Sequence, residues 1–479
     1  MVECKHEILI SNFKDKEDIF YSIIKLTGTI GNSTTLCTKY SNCIYVILNN
    51  SIHTSAKVTN NKFKLILKLQ NNVNNLVLKY CSSILHFTLN YKESNCEYTI
   101  LPLYIICREH DGKFQAPDNI INSVECACRK INLASQLLQC VTAEKLYENN
   151  LGRKSFQLEE CKIFQSNLNF LEAKNMNQKE LWEYFGREIL NSKLGDEKKK
   201  YLSFLSCTWY DGEKYDPSFN SYEDLIKITK GYVALGGGGL ALFGTASLFT
   251  WPDHFEQLID KFSDKTPIDR TRFLDDSCYR GTYGFCFSTT LGSVLHELFH
   301  TFDLGHTEYG IMNRGFDDIY KFFTVNSETG VSDTLSKAFK NKIEFKEEFE
   351  AEKLSERLQN VSRKKHFSII KKYDETDDTF LSKSCAIVLY YHKWFNQNEE
   401  SKKYVLSFDK TSKFISATNG IRVVEIRNLI NEMVLIDWTF EGKILKIYFQ
   451  LPDEYSKYYN LDHLLVVEDS SGNILKNIL

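Results

Sequence analysis

Residues 294–316 read Val294-Leu-His-Glu-Leu-Phe-His-Thr-Phe-Asp-Leu-Gly-His-Thr-Glu-Tyr-Gly-Ile-Met-Asn-Arg-Gly-Phe316. His296 and His300 stand four apart with Glu297 between them. On a helix that spacing puts both imidazoles on one face, one turn apart, within reach of a single ion. His306 follows six residues after His300, and Met312 six residues beyond that. Zinc favours imidazole nitrogen in tetrahedral geometry, and a catalytic site keeps one position for water. His296, His300 and His306 are therefore the candidate zinc ligands. Glu297 is the candidate general base for a water whose pKa the metal lowers to roughly 7. Leu291, Leu295, Leu298 and Phe302 give the same helix an apolar face to aim it. Gly305 is placed to end the helix and bring His306 back toward the metal.

Upstream, Gly231 to Pro252 carries no charge and is long enough to span a bilayer. Four consecutive glycines, Gly236 to Gly239, are poor in any helix. The segment reads as a buried strand–turn–strand, with no membrane span. It lacks the Lys-Ser/Thr that would follow a phosphate loop.

Before it lies a mixed α and β region. Leu101 to Cys107 is an apolar strand, and Pro117-Asp118 opens a long helix carrying Val124, Ala127, Ile131, Leu138 and Val141 at helical spacing. Asn177 with Glu180 forms a capping box for a helix through Leu190, and Tyr201 to Trp209 reads as a strand. Residues 333–366 are dense in Lys and Glu and read as a charged helical insertion. His392, near Trp394 and Phe395, reads as a packed histidine.

The two ends are β-rich. Phe63, Leu65, Leu67 and Leu69 alternate with lysines, and Leu85, Phe87, Leu89 and Tyr91 repeat the pattern. The pairs Asn49-Asn50, Asn60-Asn61 and Asn71-Asn72 supply turns. Near the C-terminus, Ile421–Ile426, Met433–Phe440, Ile444–Phe449 and Leu464–Val467 are strand-like, with turns at Asn419-Gly420, Glu441-Gly442 and Ser471-Gly472. The expected organisation is α+β: a β-sandwich-like domain over 1–105, a catalytic domain over 106–400 and a β domain over 401–479.

Across 479 residues the chain is 43% hydrophobic and 25% charged, with net charge −3. That balance fits a globular chain with more than one core and argues against a nucleic-acid partner. The 14 cysteines include no Cys-x-x-Cys pair, and Met1 to Glu7 lacks the apolar run of a secretory signal. The expectation is a reduced, cytoplasmic protein without a cysteine zinc site.

His296 to His306 resembles the extended H-E-x-x-H-x-x-G-x-x-H zinc motif of the metzincins, and Gly310-Ile-Met312-Asn313 resembles their Met-turn. The string from His296 to Asp318 is similar to a fungal zinc metalloproteinase family. The likeness extends to Ala234–Gly244 and to Tyr391-His-Lys-Trp-Phe-Asn396, covering roughly 100–396. It implies a metzincin-like catalytic domain with Met312 beneath the metal. It also implies a sheet-edge strand above the cleft where an extended substrate pairs, which nominates Gly236, Gly237, Gly238, Gly239 and Leu240. The sequence departs from the metzincin pattern in three places. Asp303 stands where the turn glycine is expected, the step from His306 to Met312 is short, and Arg314 occupies a position where some metzincins carry a tyrosine. Tyr309 is the nearby substitute for that tyrosine. Asp317 and Asp318 are placed either to bond a ligand histidine or to cap a helix near Ile319.

The leading expectation is a zinc-dependent endopeptidase acting on peptide or protein. The alternative is a catalytically silent zinc-containing scaffold whose β domains contact protein or carbohydrate. An intact Glu297 speaks against the scaffold, because a structural zinc site closes its fourth position and needs no adjacent base. An exopeptidase is a third reading, separated from the first by cleavage of peptides with blocked termini.

Overall fold

The computed structural model describes residues 6–31, 42–94, 96–219, 221–278, 280–324, 379–396, 405–442 and 444–479. The charged stretch expected to be helical over 333–366 lies outside these residues.

The site rests on a central sheet. Strands Thr99–Arg108, Lys199–Leu205 and Leu240–Gly244 run parallel side by side. Gln157–Leu158 and Lys162–Asn169 add parallel pairs on the far side of Thr99–Arg108. Ala234–Gly237 closes the other edge antiparallel to Leu240–Gly244, so the glycine-rich segment is a hairpin as its composition predicts. Among the described residues no helix is long and apolar enough to cross a membrane.

Strand alternation sorts the side chains of this sheet into two cores. Ile100, Tyr104, Leu202, Phe204, Ala241 and Phe243 face the long helix Val124–Glu148 and the motif helix Tyr283–Thr301. Leu101, Leu103, Ile105, Tyr201, Leu205, Leu240 and Leu242 face the helix Gln178–Leu190. The capping box expected at Asn177 and Glu180 is formed at both of its bonds. The long helix does not open at Pro117-Asp118. Ser123 caps it by accepting the Cys126 N–H, and the helix starts at Val124. The strand expected through Trp209 ends at Leu205, and Trp209–Tyr210 pairs separately with Thr229–Lys230.

The strand Thr99–Arg108 runs across residue 105, so the central sheet begins before the expected domain boundary. Ahead of it, a three-stranded and a five-stranded sheet pack face to face. Ile24, Leu26, Phe63 and Leu65 from one meet Ile44, Val46, Leu76 and Leu78 from the other. Asn49-Asn50 and Asn60-Asn61 turn the chain with both residues at positive φ (51° and 59° in each pair), the geometry of a tight hairpin turn.

At the C-terminal end, the strand Phe414–Asn428 pairs along its length with four partners, Leu406–Asp409, Val434–Thr439, Lys446–Gln450 and His463–Asp469, and the last of these pairs in turn with Ile474–Ile478. Asn419-Gly420 lies inside this strand and makes no hairpin. Gly420, at φ +79°, accommodates a register shift there.

Candidate metal centre

The motif helix carries His296 and His300 on adjacent turns and stops at Thr301. Asp303 then takes the left-handed conformation, at φ +64°, and redirects the chain. The turn is therefore made by Asp303, which tolerates that conformation better than most residues. Gly305 has a different task. A Cβ there would lie 2.5 Å from the Glu432 carbonyl oxygen and 2.8 Å from Arg427 Nε, so only glycine fits the approach. Beyond it His306 forms a parallel bridge with Met433: its N–H donates to Glu432 O at 3.0 Å, and Val434 N–H donates to His306 O at 2.8 Å.

Each imidazole uses Nδ1 on a backbone carbonyl. His296 meets Ile311 O at 2.8 Å, His300 meets Leu304 O at 2.8 Å, and His306 meets Asn431 O at 2.6 Å. A carbonyl only accepts, so Nδ1 carries the hydrogen and the Nε2 lone pair is left bare. The three bare nitrogens converge, with His300 Nε2 3.1 Å from His296 Nε2 and 3.2 Å from His306 Nε2. Tetrahedral zinc bonded at about 2.0–2.1 Å spaces its nitrogens roughly 3.3 Å apart, so the donor set and its spacing fit that ion. Burial holds all three imidazoles below their ordinary pKa, His300 at about 3, which keeps them neutral and able to ligate near neutrality. Among the described residues this is the one cluster of three His, Cys, Asp or Glu side chains able to hold an ion.

Glu297, on the same helix, meets the edge strand. Its Oε2 accepts the Gly236 N–H at 2.7 Å. Burial raises its carboxyl to about 8, against the opposing pull of that N–H. A cation among the neighbouring histidines draws the value back down, because opposite charge favours the ionised form.

The remaining sequence candidates scatter. Gly236 lies against the main chain of Glu297, and Gly237 follows it on the same strand. Gly238 and Gly239 form the exposed hairpin turn, where the Gly238 carbonyl accepts from Lys200 Nζ at 2.9 Å. Leu240 is buried on the face of the sheet away from the motif helix. Met312 is buried in the core that holds the motif helix, and its carbonyl accepts the Thr307 N–H. Tyr309 is 41% exposed, its hydroxyl on Glu308. Asp317 pairs with Arg314, and Asp318 pairs with Arg280 and Lys321; the helix after Ile319 has no side-chain cap from either. The candidate ligand histidines are oriented by main-chain carbonyls instead.

A model of the Putative peptidase family matches residues 7–421. The chain belongs to this family. Two curated relatives are each named as a putative zinc metalloproteinase. The one from Saccharomyces cerevisiae is 28% identical over 227 residues, 42% of this chain and 32% of the relative. The one from Schizosaccharomyces pombe is 28% identical over 246 residues, 46% of this chain and 38% of the relative. The match thus spans about a third of the length of these relatives. Among solved structures, catalytically inactive OgpA from Akkermansia muciniphila in complex with an O-glycopeptide superposes with a TM-score of 0.39 at 11% identity, over 80% of this chain and 92% of that one.

Sequence reading missed the partners that place His306. Asn431, Glu432 and Arg427 lie more than 120 residues further along, in the gap between the strand-like runs Ile421–Ile426 and Met433–Phe440.

Proposed function

We propose that the chain is a zinc-dependent metallopeptidase that hydrolyses peptide bonds, with His296, His300 and His306 as ligands and Glu297 as general base. The observation that carries this reading is the convergence of three bare imidazole nitrogens, two of them from the helix that also presents Glu297. Zinc bound there supplies Lewis acidity toward a carbonyl oxygen and acidifies water.

The chain's own groups do the rest. The backbone carbonyls of Ile311, Leu304 and Asn431 fix the three rings in the ligating tautomer. Gly236 N–H holds one oxygen of Glu297, leaving the other to take the proton of the attacking water and pass it to the departing nitrogen. The edge strand Ala234–Gly237 lies beside Glu297, where an extended peptide can add to the sheet. Its own N–H groups at Ala234 and Gly236 already bond Gln178 and Glu297, so main-chain pairing there rests on carbonyl groups. Met312 is assigned to the floor of the site and Tyr309 to its rim. Endopeptidase action is the preferred mode.

The test is a digest of peptides blocked at both termini by the zinc-loaded chain. Internal cleavage is expected. Cleavage confined to free termini would make it an exopeptidase, and none with any peptide would leave the metal site without hydrolytic work.

A further inference from the structure

Two of the three candidate ligands stand on the motif helix, and the third does not. His306 follows a turn whose main anchors, Arg427 and Lys476, belong to the C-terminal sheet. The Arg427 side chain is fully buried. Its Nε donates to Glu425 Oε2 at 2.7 Å, its Nη1 to Glu432 Oε2 at 3.2 Å, and its Nη2 to the Asp303 carbonyl at 2.8 Å. A guanidinium presents its donors in a fixed planar fork, so these acceptors set the position of the Asp303 main chain relative to the sheet. The Asp303 carboxylate makes a second tie, 2.8 Å from Lys476 Nζ and 3.7 Å from His392 Nε2. Where a glycine would give the left-handed turn alone, aspartate gives the turn and an anchor. Gly305 passes against Arg427 and Glu432 at contact distance. His306 then lands on the turn at Asn431 to Val434, which receives both its ring and its main chain.

We propose that Asp303 and Arg427 are positioning residues that clamp the turn delivering His306 onto the C-terminal sheet, so that this sheet is part of the metal centre. The inference rests on the zinc reading above. The anchoring turn, residues 427–434, lies beyond the matched region 7–421. Neither clamp residue touches the ion's position. They act mainly through His306 and reach His300 only through the Leu304 carbonyl, which lies in the same turn, while His296, whose carbonyl partner is Ile311, is left in place.

The test is a double-mutant cycle on the full chain, using zinc affinity by chelator competition and the visible absorption of the cobalt-loaded protein. Arg427→Met should weaken zinc binding by about 10–100-fold, the usual effect of removing a group that orients a ligand, and should change the cobalt spectrum toward that of His306→Ala. In a His306→Ala background, Arg427→Met should weaken binding far less than it does with His306 present, the remainder passing through Leu304 to His300. Arg427→Lys, which keeps the charge and loses the fork, should recover part of the affinity. Lys476→Met changes a partly exposed side chain and carries the same cycle if Arg427→Met does not fold. Folded variants with wild-type zinc affinity and cobalt spectrum would overturn the proposal, as would an equal loss with and without His306. The cycle is read in metal binding, so a chain that binds zinc without Glu297-dependent hydrolysis refutes the peptidase reading and leaves the clamp standing. A wild-type chain that takes up neither ion overturns both.

Discussion

Glu297 and Gly236 are joined twice. The carboxylate accepts the Gly236 N–H at 2.7 Å, and the two main chains pass so closely that a Cβ at position 236 would overlap the Glu297 carbonyl. The motif helix and the edge strand thus meet at the proposed general base. On the proposed reading, a substrate strand laid on that edge is registered to the proton acceptor by this contact.

Gly236→Ala should therefore push the edge strand off the helix. Overpacking of this kind costs roughly 1–3 kcal/mol, and here it also shifts Glu297. Gly238→Ala is the control: its Cβ meets nothing within 4 Å, and only its positive φ of 53° is penalised, by about 1 kcal/mol. Thermal melts and peptide hydrolysis should separate the two, with activity lost at 236 and kept at 238. Full activity in a stable Gly236→Ala protein would contradict the contact.

Removing the metal should destabilise the chain. Without a cation, three neutral nitrogens face one another 3.1 and 3.2 Å apart with no donor between them. Zinc present at a thousand times its dissociation constant adds about 4 kcal/mol. Calorimetry with and without a chelator should show a lower melting temperature on stripping, restored by zinc. An unchanged melt would argue against a site coupled to folding.

Glu159 gives a pH-dependent stability far from the cleft. Burial raises its pKa, but hydrogen bonds from Lys199, Lys162 and Thr99 outweigh that and hold the carboxyl at about 2, below its ordinary 4.5. A depressed carboxylate contributes stability that is complete above the unfolded value and is lost as pH falls toward the folded one. Urea titrations should find Glu159→Gln less stable than wild type at pH 7, with the gap narrowing from pH 4.5 toward about 2. A constant gap would assign the loss to packing.

Met312 should matter by volume. It is 1% exposed in the core holding the motif helix. Met312→Ala should cost about 2–5 kcal/mol, and Met312→Leu less than about 1.5 kcal/mol. Denaturant midpoints check both. Zinc affinity that falls with Met312→Leu while stability holds would assign the sulfur a role beyond filling space.

What could be read from the sequence was local. His296, Glu297 and His300 share a helix turn, Asn177 and Glu180 form a capping box, and glycines 236–239 imply a hairpin; each depends on residues within a few positions. Errors arose where a local signal had a competitor. Pro117-Asp118 looks like a helix start, yet the Ser123 hydroxyl reaches the Cys126 N–H and sets the start later. Asn419-Gly420 looks like a turn, yet the strand runs through it by shifting register at a glycine with positive φ. Asp303 looked like a flaw in the motif until Lys476, 173 residues later, appeared beside its carboxylate. The anchoring of His306 by Asn431 and of its turn by Arg427 is tertiary, and no periodicity in either segment records it.

On the proposed reading, a three-histidine zinc site works with Glu297 to cut peptide bonds. The direct measurement is zinc content beside a peptide-library digest, for wild type and Glu297→Gln. One zinc per chain in both proteins, with cleavage in wild type and loss of at least about 100-fold in Glu297→Gln, is the predicted result. Equal cleavage by the two proteins, or cleavage by a wild type that holds no zinc, would contradict it.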